Sequence, residues 1–142
     1  METAELLLGR RFSVALPVVH GSELGRTIGL PTLNQDFPAG LIIPRSGIYA
    51  TLCETGGAVR IGVTNVGVRP TVCTNGTVNC ETHLLDFAGD LYGRTVRVSF
   101  CARLRDEKRF PSLSALKDAI ENDARTARRL LTDELRRIED LT

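Results

Sequence analysis

Two kinds of hydrophobic patterning divide the chain. Between residues 11 and 104 the apolar positions come in short runs that alternate with polar ones and are broken by Gly, Pro and Asn, the periodicity of β-strands. Val96, Val98, Phe100, Ala102 and Leu104 fall on one side of such a run, and Thr95, Arg97, Ser99, Cys101 and Arg103 on the other. That alternation predicts a half-buried antiparallel strand. Comparable strands are predicted from Phe12 to Val19, Ile48 to Glu54, Val59 to Val66 and Val78 to Leu85, with turns at "TGGA", "GVRPTVCTNG" and "FAGDLYG". So many short strands in one stretch point to a small closed barrel, because closure removes the unpaired edges of a sheet.

After Pro111 the period changes. Leu113, Leu116, Ile120, Ala124, Ala127, Leu131, Leu135 and Ile138 recur three or four apart, which lines them along one face of a single helix over 112–140. Ser112 is its predicted N-cap, since the hydroxyl can accept from an amide of the first turn. Packing of this stripe on the barrel is the simpler reading. A coiled-coil seam is the competing one, weakened by the small Ala124 and Ala127. Residues 1–10 read as a linker-like start, and 1–142 as one domain. No repeat and no low-complexity linker is present.

Composition narrows the function. The chain has 142 residues, 42% of them hydrophobic, enough for one domain with a core of its own. Its 18 basic and 17 acidic residues leave a net charge of +1, without the surplus cation that nucleic-acid backbones reward. An aromatic share of 5% without tryptophan is poor material for stacking on bases, which argues against an oligonucleotide-binding barrel. No apolar run reaches the roughly 18 residues a membrane span needs, and the start lacks the basic region of a signal peptide. Neither a nucleic acid nor a membrane is therefore an expected partner, and the cytoplasm is the default address. Cys53, Cys73, Cys80 and Cys101 include no Cys-x-x-Cys pair, and His20 and His83 complete no zinc spacing. They read as small buried apolar residues.

Chemistry concentrates around "GRTIGLPTLN", residues 25–34. His20, Gly21, Gly25, Arg26 and Gly29 form a glycine-rich loop leading into the extended Pro31-Thr32-Leu33-Asn34. The loop lacks the Walker A pattern, and no protein-kinase signature occurs. A plain turn accounts for such glycines. Alternatively the loop offers amides to phosphate, while Thr32 and Asn34, two apart on an extended segment, offer two neutral oxygens on one side. Magnesium takes oxygens of this kind. Glu81 stands in mid-strand, sharing a face with Asn79, His83 and Leu85, opposite to Val78, Cys80, Thr82 and Leu84. It is either a solvated charge or the base that a transfer of phosphate to an alcohol needs. His83 reads as support for that strand, Tyr49 and Tyr92 as packing residues with bonded hydroxyls, and Arg128, Arg129 and Asp133 as the wet face of the helix.

"GRTIGLPTLN" resembles the Gly-Arg-x-x-Gly-[Phe/Leu]-Pro-Thr-Ala-Asn segment of the riboflavin kinase family, with Leu33 at the usual alanine position. "VVHG" at 18–21, "SGIYA" at 46–50, "GVTNVGVRPT" at 62–71, "ETHLLDFAGDLYG" at 81–93 and "LRDEKRFPSLSALKDAIENDA" at 104–124 resemble further family segments in the same order, from Gly9 to Leu131. The resemblance implies a mainly β fold, a six-stranded antiparallel Greek-key barrel with a long carboxy-terminal helix. It implies transfer of the γ-phosphoryl of ATP to riboflavin, giving FMN and ADP. Carried over residue by residue, Thr32 and Asn34 would hold Mg2+ and phosphate, and Glu81 would be the base. The loop with His20, Gly21, Gly25, Arg26 and Gly29 would cover the nucleotide. Asn65 and Arg69 would lie at the mouth of the site, and Arg105, Glu107 and Phe110 in the segment that closes over the flavin. The same family forms the carboxy-terminal module of bifunctional FAD synthetases, so an amino-terminal FMN adenylyltransferase domain in a longer protein fits the resemblance. A non-catalytic relative that only carries flavin nucleotide is the alternative, and joint retention of Thr32, Asn34 and Glu81 speaks against it.

Overall fold

The protein, a computed structural model, is described over residues 12–19, 32–38, 43–69, 77–87 and 89–140. Its elements are β1 (Ser13–Pro17), β2 (Leu33–Asp36), β3 (Gly47–Thr55), β4 (Ala58–Arg69), β5 (Thr77–Leu84), β6 (Thr95–Arg105) and one long helix, α1 (Leu113–Asp140). All strand pairs are antiparallel, in the order β1-β6-β3-β4-β5-β2. The row curls until its two ends meet, where Val19 N–H donates to the Asn34 carbonyl at 2.7 Å. The result is a nearly closed six-stranded barrel with a carboxy-terminal helix. The predicted "TGGA" turn is a two-residue hairpin in which Gly56 and Gly57 both have positive φ, 58° and 82°. That is the geometry that matches strand twist and that side chains with a Cβ resist.

Each strand has an inner and an outer face, and two cores follow from this. Leu16, Val18, Phe37, Tyr49, Val66, Cys80, Leu84, Val96, Val98 and Phe100 fill the barrel. Inside it, Thr51, Thr64 and Thr82 form a chain of hydroxyl hydrogen bonds across β3, β4 and β5, 2.9 and 2.8 Å long. Gly62 lies beneath that chain, where an added Cβ would come within 2.8 Å of the Thr82 methyl. The second core is outside, where Ile48, Ala50, Leu52, Ile61 and Val63 meet Ala127 and Leu131 of α1. Ala124, Leu135 and Ile138 extend the contact. The helical stripe from Ala124 to Ile138 thus packs on the barrel, and Ser112 caps the helix as expected, its Oγ accepting from Ala115 N–H at 3.1 Å. Leu113 departs from the predicted stripe and is 46% exposed.

The predicted alternation of β6 holds only for its first half. Val96, Val98 and Phe100 face inward, but the register against β3 slips twice, so that Cys101 and Leu104 are passed over. These irregularities rephase the strand and send Ala102 and Leu104 to the outer core instead. Tyr49 is buried as expected, edge-on to Phe100 with ring centroids 5.2 Å apart and its hydroxyl donating to the Arg45 carbonyl. Tyr92, expected to pack, is 53% exposed on a turn. Cys53, Cys80 and Cys101 are buried free thiols. Burial pushes the first two up to about 12, while Cys73 lies outside the described residues. No cluster of His, Cys, Asp and Glu suited to a metal occurs among the described residues, nor any helix long and apolar enough to cross a membrane.

Candidate active site

Register assembles the site. Asn34 on β2 is paired with Glu81 on β5, Glu81 with Asn65 on β4, Asn65 with Ile48 on β3, and Ile48 with Arg105 on β6. Residues directly opposite across antiparallel strands share a face, with Cβ atoms about 4.5–5.5 Å apart. One transverse row therefore crosses five strands on the outer face of the barrel. Glu81 stands second in it, between Asn34 and Asn65, on an interior strand laddered on both flanks, so its backbone has little freedom to move. A second row, His83, Val63, Ala50 and Ala102, runs beside the first toward the helix.

A cavity of about 260 Å³ opens above these rows. Its floor holds Ile48, Val63, Asn65, Glu81 and His83; Thr32 stands at one end, and Leu116, Ile120 and Asp123 of α1 form a wall. Glu107, Lys108 and Phe110, from the segment joining β6 to α1, complete it. The polar end carries Thr32, Asn65 and Glu81, with Asn34 buried in the same row. Ile48, Val63, Phe110, Leu116 and Ile120 supply apolar surface to the same lining, interleaved with Arg105, Lys108 and Asp123. Asn65 Oδ1 is buried and has no hydrogen-bond partner among the described residues. A buried acceptor left this way costs about 1–3 kcal/mol until a donor reaches it.

Arg105 and Asp123 tie the cavity's two sides together. The guanidinium binds the carboxylate through Nε, 3.1 Å from Oδ1, and Nη2, 2.8 Å from Oδ2. Asp123 is only 4% exposed. Arg105 also donates to the Asp106 carbonyl and lies 5.6 Å from the Phe110 ring centroid, with Lys108 Nζ at 5.3 Å from the same ring. Glu107 reaches back over β4 at Gly67, where an added Cβ would fall 2.6 Å from its carboxylate. The connecting segment is thereby held against the sheet at both a charged and an aromatic contact.

Of the residues singled out in the sequence, Thr32, Asn65, Glu81, Arg105, Glu107 and Phe110 gather around this one cavity, and Asn34 stands beside Glu81. His20, Gly21, Gly25, Arg26 and Gly29 lie outside the described residues. Arg69 ends β4 opposite Thr77, four positions along the strand from Asn65, and only its backbone is described. Sequence reasoning missed Asp123, Lys108 and the place of His83 in the lining. Asp123 did carry a signal, a carboxylate set among Ile120, Ala124 and Ala127 on the buried stripe.

The strand order, with one long helix laid over β3 and β4 and a crevice beside it, defines a six-stranded antiparallel barrel with a carboxy-terminal helix. A sequence model of the Flavokinase family, described as riboflavin kinase, matches residues 8–131, and the chain belongs to that family. It is 47% identical over 129 residues to a bifunctional riboflavin kinase/FMN adenylyltransferase of Pseudomonas fluorescens, covering 91% of this chain and 41% of that protein. The chain thus corresponds to the kinase module of such proteins and spans well under half their length. Among solved structures, riboflavin kinase from Trypanosoma brucei superposes with a TM-score of 0.63 at 24% identity, over 86% of this chain and 80% of that one. A Streptococcus pneumoniae chain titled a macrolide-efflux protein gives a TM-score of 0.81 at 32% identity, over 89% of this chain and 41% of that one. That title attaches to a longer chain, and only the shape carries over.

Proposed function

We propose that this chain transfers the γ-phosphoryl group of ATP to the ribityl 5′-hydroxyl of riboflavin, giving FMN and ADP. The observation that carries the proposal is the transverse row, which sets Asn34 beside Glu81 and Asn65 where these line a cavity that also offers the apolar side chains Ile48, Phe110, Leu116 and Ile120. A flat heteroaromatic plate with a hydroxylated tail matches those two kinds of surface. In this reading the ring system lies toward Ile48, Phe110, Leu116 and Ile120, and the tail runs toward Glu81. Asn65 Oδ1 then receives the donor it lacks from a ribityl hydroxyl.

The chemistry asks little covalent work of the protein. The 5′-oxygen forms a bond to the γ-phosphorus, the bond from that phosphorus to the bridging oxygen breaks, and its electron pair leaves on ADP. The hydroxyl proton passes to the Glu81 carboxylate, which also aims the nucleophile. Thr32 and Asn34 present a hydroxyl and a carboxamide oxygen, hard neutral donors of the sort Mg2+ accepts beside phosphate and water. When bound there, the ion would neutralise phosphate charge. The loop carrying His20, Gly21, Gly25, Arg26 and Gly29 is proposed to cover the nucleotide, with Arg69 near the mouth. In a longer protein an FMN adenylyltransferase domain would consume the FMN, and the cytoplasm, with its ATP supply, suits both steps.

Incubation with ATP, magnesium and riboflavin is expected to yield FMN. Glu81→Ala is expected to lower turnover about 100-fold or more while flavin and nucleotide binding stay measurable. Wild-type turnover in that variant would remove Glu81 from the mechanism. Flavin binding by the wild type without any FMN would instead establish the non-catalytic carrier.

A further inference from the structure

Among the described residues, strand pairing is sparsest where the ends of the row meet. β2 has four residues, is laddered to β5 on one flank and, among the described residues, meets the β1 end of the row through one bridge, at Val19. The side chain that spans this seam from within is Gln35, fully buried. Its amide Nε2 donates to the Leu16 carbonyl of β1 at 2.8 Å and to the Val96 carbonyl of β6 at 3.0 Å. Leu16 and Val96 are themselves register partners, so one carboxamide grips a matched pair of strands. Its Oε1 accepts from the Cys80 thiol of β5 at 3.7 Å, a donor kept protonated by burial. Both amide hydrogens and the carbonyl are therefore occupied, in an interior where an unmade bond is costly.

Gln35 faces inward, and its neighbour Asn34 faces outward in the row with Glu81. The interior therefore holds from behind the strand whose outer face carries the candidate cation oxygens. We infer that Gln35 is a positioning residue for the phosphate-and-cation end of the site, locking β2 to β1 and β6 so that Thr32 and Asn34 keep their places beside Glu81. This rests on the proposed role of Asn34. Its mechanism is mechanical: a single carboxamide bonds β2 across the seam to both β1 and β6.

Gln35→Met keeps the length of the side chain and removes the amide. Three measurements read the effect. Hydrogen exchange at the β2 amides is expected to speed up while that of the β3 and β4 amides is unchanged. Calorimetric affinity for magnesium–ADP is expected to fall about 10-fold, as for losses of groups that orient metal ligands. Affinity for riboflavin is expected to stay within about twofold, since its end of the cavity lies on other strands. Phe100→Leu, a cavity in the same interior, is the control and is expected to lower stability without weakening magnesium–ADP. If Gln35→Met does not fold, Gln35→Asn carries the same expectation, because it keeps an amide but is a methylene too short for both carbonyls. Wild-type magnesium–ADP affinity in the Gln35 variant, or equal weakening by Phe100→Leu, overturns the inference. Asn34→Ala separates the two layers: if it weakens magnesium–ADP and the Gln35 variant does not, only the positioning role falls. If Asn34→Ala has no effect, the reading of Asn34 falls and the role of Gln35 with it.

Discussion

Asp123 shows how much one side chain can decide. Its carboxylate is buried in the helix interface and answered by the Nε–Nη2 edge of the Arg105 guanidinium, so helix, sheet and cavity wall are joined at one point. Removing one member of such a pair leaves the other without its counter-charge. The side chain of Arg105 keeps 24% exposure, which softens the penalty. Asp123→Ala is expected to cost about 1–3 kcal/mol in urea unfolding and to weaken riboflavin binding as the wall shifts. Equal unfolding midpoints would mean that water replaces the carboxylate. Glu81 was legible in the sequence because strand period alone set it opposite Cys80 and Thr82. The Arg105 pairing was not, since its partner lies 18 residues away on another element.

Among the elements, β5 and β6 contrast in how openly they declare their faces. β5 follows a strict two-residue alternation, and Val78, Cys80 and Leu84 do reach the inner core. β6 carries the same kind of pattern, yet its two slips past Cys101 and Leu104 leave no mark in residue type, because a bulge here is settled by the partner strand. β2 was legible only as an extended segment, four residues being too few to show a period. The hydroxyl chain of Thr51, Thr64 and Thr82 is likewise a product of pairing, and it explains Gly62. An alanine there would press its methyl against the Thr82 methyl at 2.8 Å and the Thr51 hydroxyl oxygen at 3.0 Å. Gly62→Ala is expected to destabilise by about 1–3 kcal/mol in thermal or urea unfolding, through overpacking of the barrel. An unchanged midpoint would show that the strands part without cost.

For the whole molecule, the question is what keeps a long helix seated on a small barrel. Apolar burial does most of it, and Arg128 adds a bidentate grip on Asp86 in the turn after β5, at 2.7 and 3.1 Å. The hydrogen bond from Arg128, and then its charge, hold the Asp86 carboxyl below its ordinary 3.8. A carboxylate favoured in the folded state stabilises above its unfolded pKa, and that contribution disappears as pH falls through the lowered folded value. Thermal midpoints of wild type and Arg128→Ala are therefore expected to differ slightly near neutral pH and to converge in acid below 3.8. Added salt is expected to shrink the neutral difference, since both side chains are open to solvent. A gap that persists in acid would assign the effect to packing of the arginine stem. The barrel-plus-helix plan was legible from two periods in the sequence, whereas the line of attachment was not, because surface charges pair by proximity that no spacing announces.

A crevice on the outside of a shell has a further consequence for how such a module can change. The residues that fill the shell are not those that line the crevice, so apolar side chains there are free to be exchanged for others of equal volume, tuning heat tolerance with the proposed catalytic surface left alone. Adaptation to a hotter or colder habitat and adaptation to a new substrate would then draw on separate sets of positions, with Gln35 as a place where the two are coupled.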